Sequence, residues 1–148
     1  MWLRICAYTL AVTLAFMALL VGITFWALEW SDVAVLETRA EDGSWRETRV
    51  WYVVDESGAL LVEAGAFDSP WLQDVRRDPM LRFAIDGERD EYKASIRPNP
   101  YGHRNIRRRL RERYGLRDLW IASLFDTSTS QEVELIEVAP SAADDSTN

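Results

Sequence analysis

Residues 45–97 read WRETRVWYVVDESGALLVEAGAFDSPWLQDVRRDPMLRFAIDGERDEYKASIR. From Arg46 to Val54, alternation puts Thr48, Val50, Tyr52 and Val54 on one face of a strand and Arg49, Trp51 and Val53 on the other. Both faces carry large groups, so both need cover. The turn Asp55-Glu56-Ser57-Gly58 leads into a second strand, Ala59–Ala64, and the two read as an antiparallel hairpin. Gly65-Ala66-Phe67-Asp68 breaks that strand, after which Ser69 suits a helix N-cap and Pro70 the first helical position. Trp71, Leu72 and Val75 give this helix one apolar face, and it ends before Pro79, which disfavours a helical Asp78. Asp86-Gly87 then joins strands Met80–Ile85 and Glu88–Ile96 by the dipeptide that best suits a two-residue hairpin turn. Two hairpins separated by one short helix describe a small β-barrel with a ligand cleft.

The flanks extend this pattern. Val33–Thr38 reads as a short strand, followed by the turn Glu41-Asp42-Gly43-Ser44. Beyond residue 97, Pro98-Asn99-Pro100-Tyr101-Gly102 reads as a loop that stops the sheet. Asn105–Tyr114 reads as a helix, with Ile106, Leu110 and Tyr114 at every fourth residue and Gly115 as its stop. Leu116–Phe125 is apolar and fits helix or strand. Thr127–Ser130 is a loop, and Gln131–Val138 alternates as a closing strand. The small, acidic segment Ser141–Asn148 is expected to be a disordered tail.

The chain opens differently. Ile5 to Leu28 carries no charge, and its polar side chains are three threonines and Tyr8. At 1.5 Å per residue such a helix is about 36 Å long, enough to cross a hydrocarbon core of about 30 Å. Trp2, Trp26 and Trp30 stand at its ends, where indole rings favour the interface, and Arg4 can snorkel. A signal peptide would have an apolar region of about 7–15 residues and end in small residues. This run is longer and closes with Phe25-Trp26-Ala27-Leu28-Glu29-Trp30. Residues 1–30 are therefore expected to be a single-pass transmembrane anchor, residues 31–140 one domain. With Arg4 before the run and Arg39 the first cation after it, the amino terminus is expected on the cytoplasmic side.

Apart from Arg4 and Glu29, the first 30 residues are uncharged, which leaves 16 basic and 23 acidic side chains beyond them. That acidic balance argues against general nucleic-acid binding. One Cys and one His exclude both a disulfide framework and a Cys/His zinc site. His103 sits in a Pro- and Gly-rich loop with no nucleophile or carboxylate constellation in view, so a surface or capping role is expected of it.

The motifs Arg46-x-Thr48-Arg49-Val50-Trp51-Tyr52-Val53-Val54, Leu61-Val62-x-Ala64-Gly65, Ser69-Pro70-Trp71-Leu72 and Arg77-Asp78-Pro79 with the hairpin after them resemble the deazaflavin-dependent nitroreductase family. The resemblance extends to Arg113-Tyr114-Gly115 and to the turn Phe125-Asp126-x-Ser128-x-Ser130, and so covers residues 33–140. It implies a mainly β, α+β fold: a split β-barrel of the flavin-binding class that includes the pyridoxamine phosphate oxidases, here preceded by one transmembrane helix. It implies FMN or an 8-hydroxy-deazaflavin as cofactor, hydride transfer to a quinone or nitro-type acceptor, and a homodimer as one option. The cofactor set carried over is Arg46, Thr48, Arg49, Trp51, Gly65, Ser69 and Trp71, with no catalytic residue assigned and no metal. Arginine suits bidentate phosphate contacts, glycine admits close backbone approach, and an indole can stack on a ring. The turn Glu41-Asp42-Gly43 and the loop residue Asp68 are acidic where the family is basic, and like charge beside a phosphate raises its binding cost. A cofactor-free, membrane-tethered binding or assembly module is therefore the second reading.

Ordinary structural roles compete with these assignments. Arg46 and Arg49 can pair with Glu47 or Glu63 across the hairpin, and Trp51 and Trp71 can be core. Arg104, Arg107, Arg108, Arg109, Arg111 and Arg113 form the one basic block. It reads as a solvated helix face around Ile106 and Leu110, or as a contact for lipid headgroups or a cofactor phosphate.

Overall fold

The computed structural model describes residues 2–29 and 33–138; Trp30, the expected boundary at residues 30/31 and the tail 141–148 lie outside them. In chain order the elements are α1 (Trp2–Glu29), β1 (Val33–Arg39), β2 (Trp45–Val54), β3 (Leu60–Ala64), α2 (Pro70–Arg77), β4 (Met80–Ile85), β5 (Glu88–Ile96), α3 (Tyr101–Tyr114), α4 (Leu116–Leu124) and β6 (Gln131–Glu137). The six strands close into an antiparallel barrel in the order β1-β2-β3-β6-β5-β4, with β4 returning to β1.

The double-faced pattern of β2 explains the architecture. Val50 and Tyr52 point into the barrel, where they join Leu36, Val62, Leu81, Phe83, Val133 and Leu135. Phe83 meets the rings of Tyr52 and Tyr92 edge-on, at centroid separations of 5.8 and 6.0 Å, a preferred geometry for aromatic pairs. Val53 and Trp51 point the other way and are covered by Ile106, Leu110 and Tyr114 of α3, with Leu61 of β3 beside them. The chain thus has an inner barrel core and an outer helix-on-sheet layer, and β2 serves both. Burying one large aliphatic or aromatic side chain stabilises by about 1.5–3 kcal/mol, so both layers matter to a domain of this size.

Helix α2 closes one end of the barrel. Trp71, Leu72 and Val75 enter the inner core. Ser69 does not cap α2 with its hydroxyl, which instead donates to the Ala66 carbonyl at 2.7 Å; the Ser69 carbonyl accepts from Leu72 and Gln73. The Asp86-Gly87 turn has positive φ at both residues, 53° and 90°, as a two-residue hairpin of the favoured hand requires.

One sequence expectation is revised and one left open is settled. Helix α3 begins at Tyr101, four residues before Asn105, so Tyr101 and Gly102 belong to helix, not loop. Pro100 and Gly102 read as breakers, but Pro100 takes the N-cap position, where its missing N–H costs nothing. Gly102 is there for space: a Cβ would lie 2.9 Å from the Arg97 carbonyl oxygen. The ambiguous segment after Gly115 is helix α4. Beyond the Val33–Trp51 pair, the Tyr114 hydroxyl donates to the Tyr52 carbonyl at 3.0 Å and accepts from its N–H at 3.3 Å. Buried backbone groups at the strand's end are satisfied that way.

Helix α1 is long and apolar enough to cross a membrane over Arg4–Trp26, a property a signal sequence or a soluble core helix can share. Among residues 4–26 only Leu20 and Thr24 are half-buried, the rest exposed. Their shared face meets α4, where the Trp120 indole donates to the Thr24 hydroxyl at 3.1 Å.

Candidate functional site

A cleft of about 520 Å³ lies along β2, within the range of about 300–1,000 Å³ common for small-molecule sites. Thr48, Arg49, Val50 and Trp51 of β2 form its floor, Glu63, Gly65 and Ala66 one side, and Ile121, Phe125, Asp126 and Thr127 the other, with Trp71 and Arg107 also lining it. Five of the seven positions carried over by resemblance are therefore brought together: Thr48, Arg49, Trp51, Gly65 and Trp71. Arg46 and Ser69 are not among the lining residues.

The reason is local. Arg46 donates from Nε to Oδ2 of Asp74 at 2.8 Å, while Thr38 and Arg77 reach the same carboxylate at 2.9 and 3.0 Å. Burial pushes the Asp74 carboxyl up, but the hydrogen bonds from Arg46, Thr38 and Arg77 outweigh it and hold the group below its ordinary value. Arg46 thus ties β2 to α2. Neither it nor Glu63 makes the cross-hairpin pair that the sequence admits.

Trp51 stacks on Tyr114 with ring centroids 4.5 Å apart and planes 13° from parallel. Its Nε1 is buried without a hydrogen-bond partner among the described residues. Trp71 is mainly core, at 5% exposure, with its remaining surface at the cleft. A Cβ added to Gly65 would meet no atom within 4 Å, so no part of the protein requires glycine there. The open space belongs to the cleft.

The pairing of charges inside the cleft was the part sequence reasoning missed. Arg107 donates from Nη1 to Glu63 at 2.9 Å and from Nη2 to Asp118 at 2.6 Å. Asp118 is fully buried, and Arg111 Nε lies 3.5 Å from its second oxygen. Burial pushes the Glu63 carboxyl above its ordinary value, against the pull of Arg107. A carboxylate in the otherwise apolar run Leu60–Ala64 was the available signal for Glu63. Nothing local marked Arg107 among five neighbouring arginines. Conversely, Glu41, Asp42 and Asp68 do not line the cleft; its acidity comes from Glu63 and Asp126.

His103 places Nδ1 2.9 Å from the Ser130 hydroxyl and stands on α3 outside the cleft lining. Among the described residues no group of His, Cys, Asp and Glu is placed to hold a metal ion.

The sequence matches no family model and no curated protein. Solved structures do resemble it. A conserved hypothetical protein, Rv2991 of Mycobacterium tuberculosis, is 21% identical with a TM-score of 0.57, over 79% of each chain. A pyridoxamine 5'-phosphate oxidase-type protein from Listeria innocua is 18% identical with a TM-score of 0.53, over 75% of this chain and 87% of that one. An F420 reductase is 15% identical with a TM-score of 0.51, over 78% and 93%. This chain has the pyridoxamine 5'-phosphate oxidase-like split-barrel fold. At these identities the likeness concerns the fold, and it agrees with the split barrel implied by the nitroreductase-like motifs.

Proposed function

We propose that the protein is a membrane-anchored oxidoreductase that holds FMN or an 8-hydroxy-deazaflavin in the β2 cleft and reduces a quinone or nitro-type acceptor. The observation that carries this reading is the cleft itself, where an aromatic floor, an open glycine and two arginines converge on a split barrel. Its volume and the Trp51 ring fit a flat tricyclic ring, with Trp71 at the margin. Arg49 and Thr48 suit the anionic side chain of such a group. The bound cofactor would supply the hydride, and the protein contributes binding, orientation and proton handling.

Glu63 is the cleft residue suited to the proton. Reduction of a quinone or nitro group takes up protons as well as hydride, and a carboxyl raised by burial holds one nearer to neutral pH than an exposed carboxyl does. Arg107 fixes its position, with Nη1 at 3.2 and 2.9 Å from the two carboxyl oxygens. The α1 helix supports an acceptor that partitions into lipid, and the amino terminus is assigned to the cytoplasmic side on the weight of Arg4.

The test is titration of the full chain in detergent with FMN and separately with a deazaflavin, following cofactor fluorescence. Quenching by either at micromolar protein supports the reading; none by either refutes it. One observation favours a cofactor-free binding or assembly module instead: Arg107 is already held by two carboxylates, which opposes an incoming phosphate. Gly65→Leu separates the two, because a Cβ there meets no protein atom within 4 Å: loss of cofactor quenching with stability retained fits the reductase, and a parent that shows no quenching at all fits the module.

A further inference from the structure

Helix α4 is the least explained part of the domain. Its outer stripe Leu116, Leu119 and Ser123, at i, i+3 and i+7, continues into Leu124 and Phe125, and the four apolar members are 83, 45, 50 and 56% exposed. The one acid of this helix, Asp118, is buried against Arg107 and Arg111, and its one cation, Arg117, lies over the rings of Tyr114, Trp51 and Trp26. The outward face is therefore apolar and uncharged, an arrangement that water opposes.

The position of α4 says what covers that face. The Trp120 indole bonds to Thr24, and the Arg117 guanidinium lies 6.0 Å from the Trp26 ring. Thr24 is two residues inside the end of the apolar run Arg4–Trp26, a depth of about 3 Å along a helix. Whatever bonds to Thr24 stands at the edge of the layer that α1 crosses. Indole, leucine and phenylalanine are the side chains that favour this layer. Ile121 and Phe125 belong at once to this region and to the cleft wall.

We propose that the outer face of α4, continued by Phe125, is seated in the headgroup layer of the bilayer, so that the cleft takes its acceptor as an amphiphile from that layer. This rests on the reading of α1 as a membrane anchor. It adds a second membrane contact, one that fixes the orientation of the barrel. A helix tether alone would leave the domain free to turn away; α4 holds the Phe125 side of the cleft against the lipid.

The test uses the full chain in nanodiscs of phosphatidylcholine with phosphatidylglycerol, with Cys6→Ala as background. Single cysteines at Leu116, Leu119 and Leu124, with references at Phe16 on α1 and Met80 on β4, carry an environment-sensitive fluorophore. All five sites are exposed, so labelling is compatible with folding. The expected result is blue-shifted emission at Leu119 and Leu124, quenched by lipids spin-labelled near the headgroup and spared by iodide, with Met80 quenched by iodide. Iodide quenching at the α4 sites while Phe16 is quenched by lipid overturns this proposal and leaves the anchor standing. Protection from both quenchers overturns it in favour of a second copy on this face. A Phe16 label that iodide reaches overturns the anchor and this proposal together.

Discussion

Arg107→Leu tests the charge arrangement of the cleft most directly. The substitution removes the 2.9 Å partner of Glu63 and the 2.6 Å partner of Asp118 at once. The three side chains are 13, 11 and 0% exposed, so water does not replace what is lost. Asp118 keeps Arg111 at 3.5 Å, a side chain that is more than half exposed. Breaking a buried pair by removing one member costs about 3–5 kcal/mol. A domain of about 100 residues loses about 4 °C of Tm per kcal/mol, so the expected fall is roughly 12–20 °C at neutral pH.

The pH dependence identifies the cause. Without Arg107, the Glu63 carboxyl, already raised by burial, loses the charge that pulls it down and is raised further in the folded state. A group with a raised folded pKa contributes stability that is full below its unfolded value, about 4, and is lost as pH rises through the folded pKa. The deficit of Arg107→Leu is therefore small near pH 4 and grows towards pH 7. Adding Glu63→Gln and Asp118→Asn to the variant should recover most of it. The assay is thermal unfolding followed by near-ultraviolet circular dichroism of the full chain in detergent. A fall under about 4 °C, less than about 1 kcal/mol, or a deficit independent of pH, would refute a charge role for Arg107 and leave only packing.

The other predictions divide cleft from scaffold. Gly65→Leu should leave the unfolding free energy within about 0.5 kcal/mol of the parent, as for a surface change, yet abolish flavin or deazaflavin quenching; retained binding would show that the cleft at Gly65 is not the ring's site. Glu63→Gln should lower turnover by about 10²-fold as expected for a lost general acid, with cofactor affinity no lower in the same titration, and an equal loss of affinity would argue against a proton role. Asp74→Asn should remove a stability loss on the acid side. The Asp74 carboxyl lies below its ordinary 3.8 in the folded state, so its contribution is present above that value and lost as pH falls through the folded pKa; urea unfolding between pH 2.5 and 6 reads the slope. Gly102→Ala should cost about 1–3 kcal/mol, the usual penalty of overpacking, because its Cβ meets the Arg97 backbone.

The barrel was legible because its local signals agree. The alternation of β2, the Pro70 helix start and the Asp86-Gly87 turn each specify a backbone geometry within a few residues, and the structure shows all three. Even the double-faced pattern of Arg46–Val54 had its meaning, an inner core on one side and α3 on the other. The start of α3 was not legible, because Gly102 is selected by a contact with Arg97 that only the folded chain brings together. The cleft was half legible for the same reason. Positions on β2 and beside it follow from strand order, whereas Arg46 was read as a ligand contact and is held by Asp74, 28 residues away in sequence.

The arginine block shows how a formal charge pattern changes meaning on folding. Read along the chain, six cations near one another on α3 suggest a positive face. In three dimensions Arg107 is shared between Glu63 and Asp118, Arg108 pairs with Glu112 at 3.2 Å, and Arg111 faces Asp118. Arg113 lies over the rings of Tyr52 and Tyr114. Inside the cleft, Arg49 and Arg107 stand against Glu63 and Asp126, so the lining is close to neutral and each new anion competes with a carboxylate. Competition of that kind penalises charge on the ligand more than it penalises aromatic surface. If the cleft holds such a cofactor, one with a single phosphate, such as FMN, is expected to bind more tightly than a deazaflavin with a longer acidic tail. Neutralising Glu63 should narrow that gap, because it releases one of the two carboxylates on Arg107. Comparing FMN and deazaflavin affinities in the parent and in Glu63→Gln measures it: an unchanged ratio would mean that the tail does not reach Arg107.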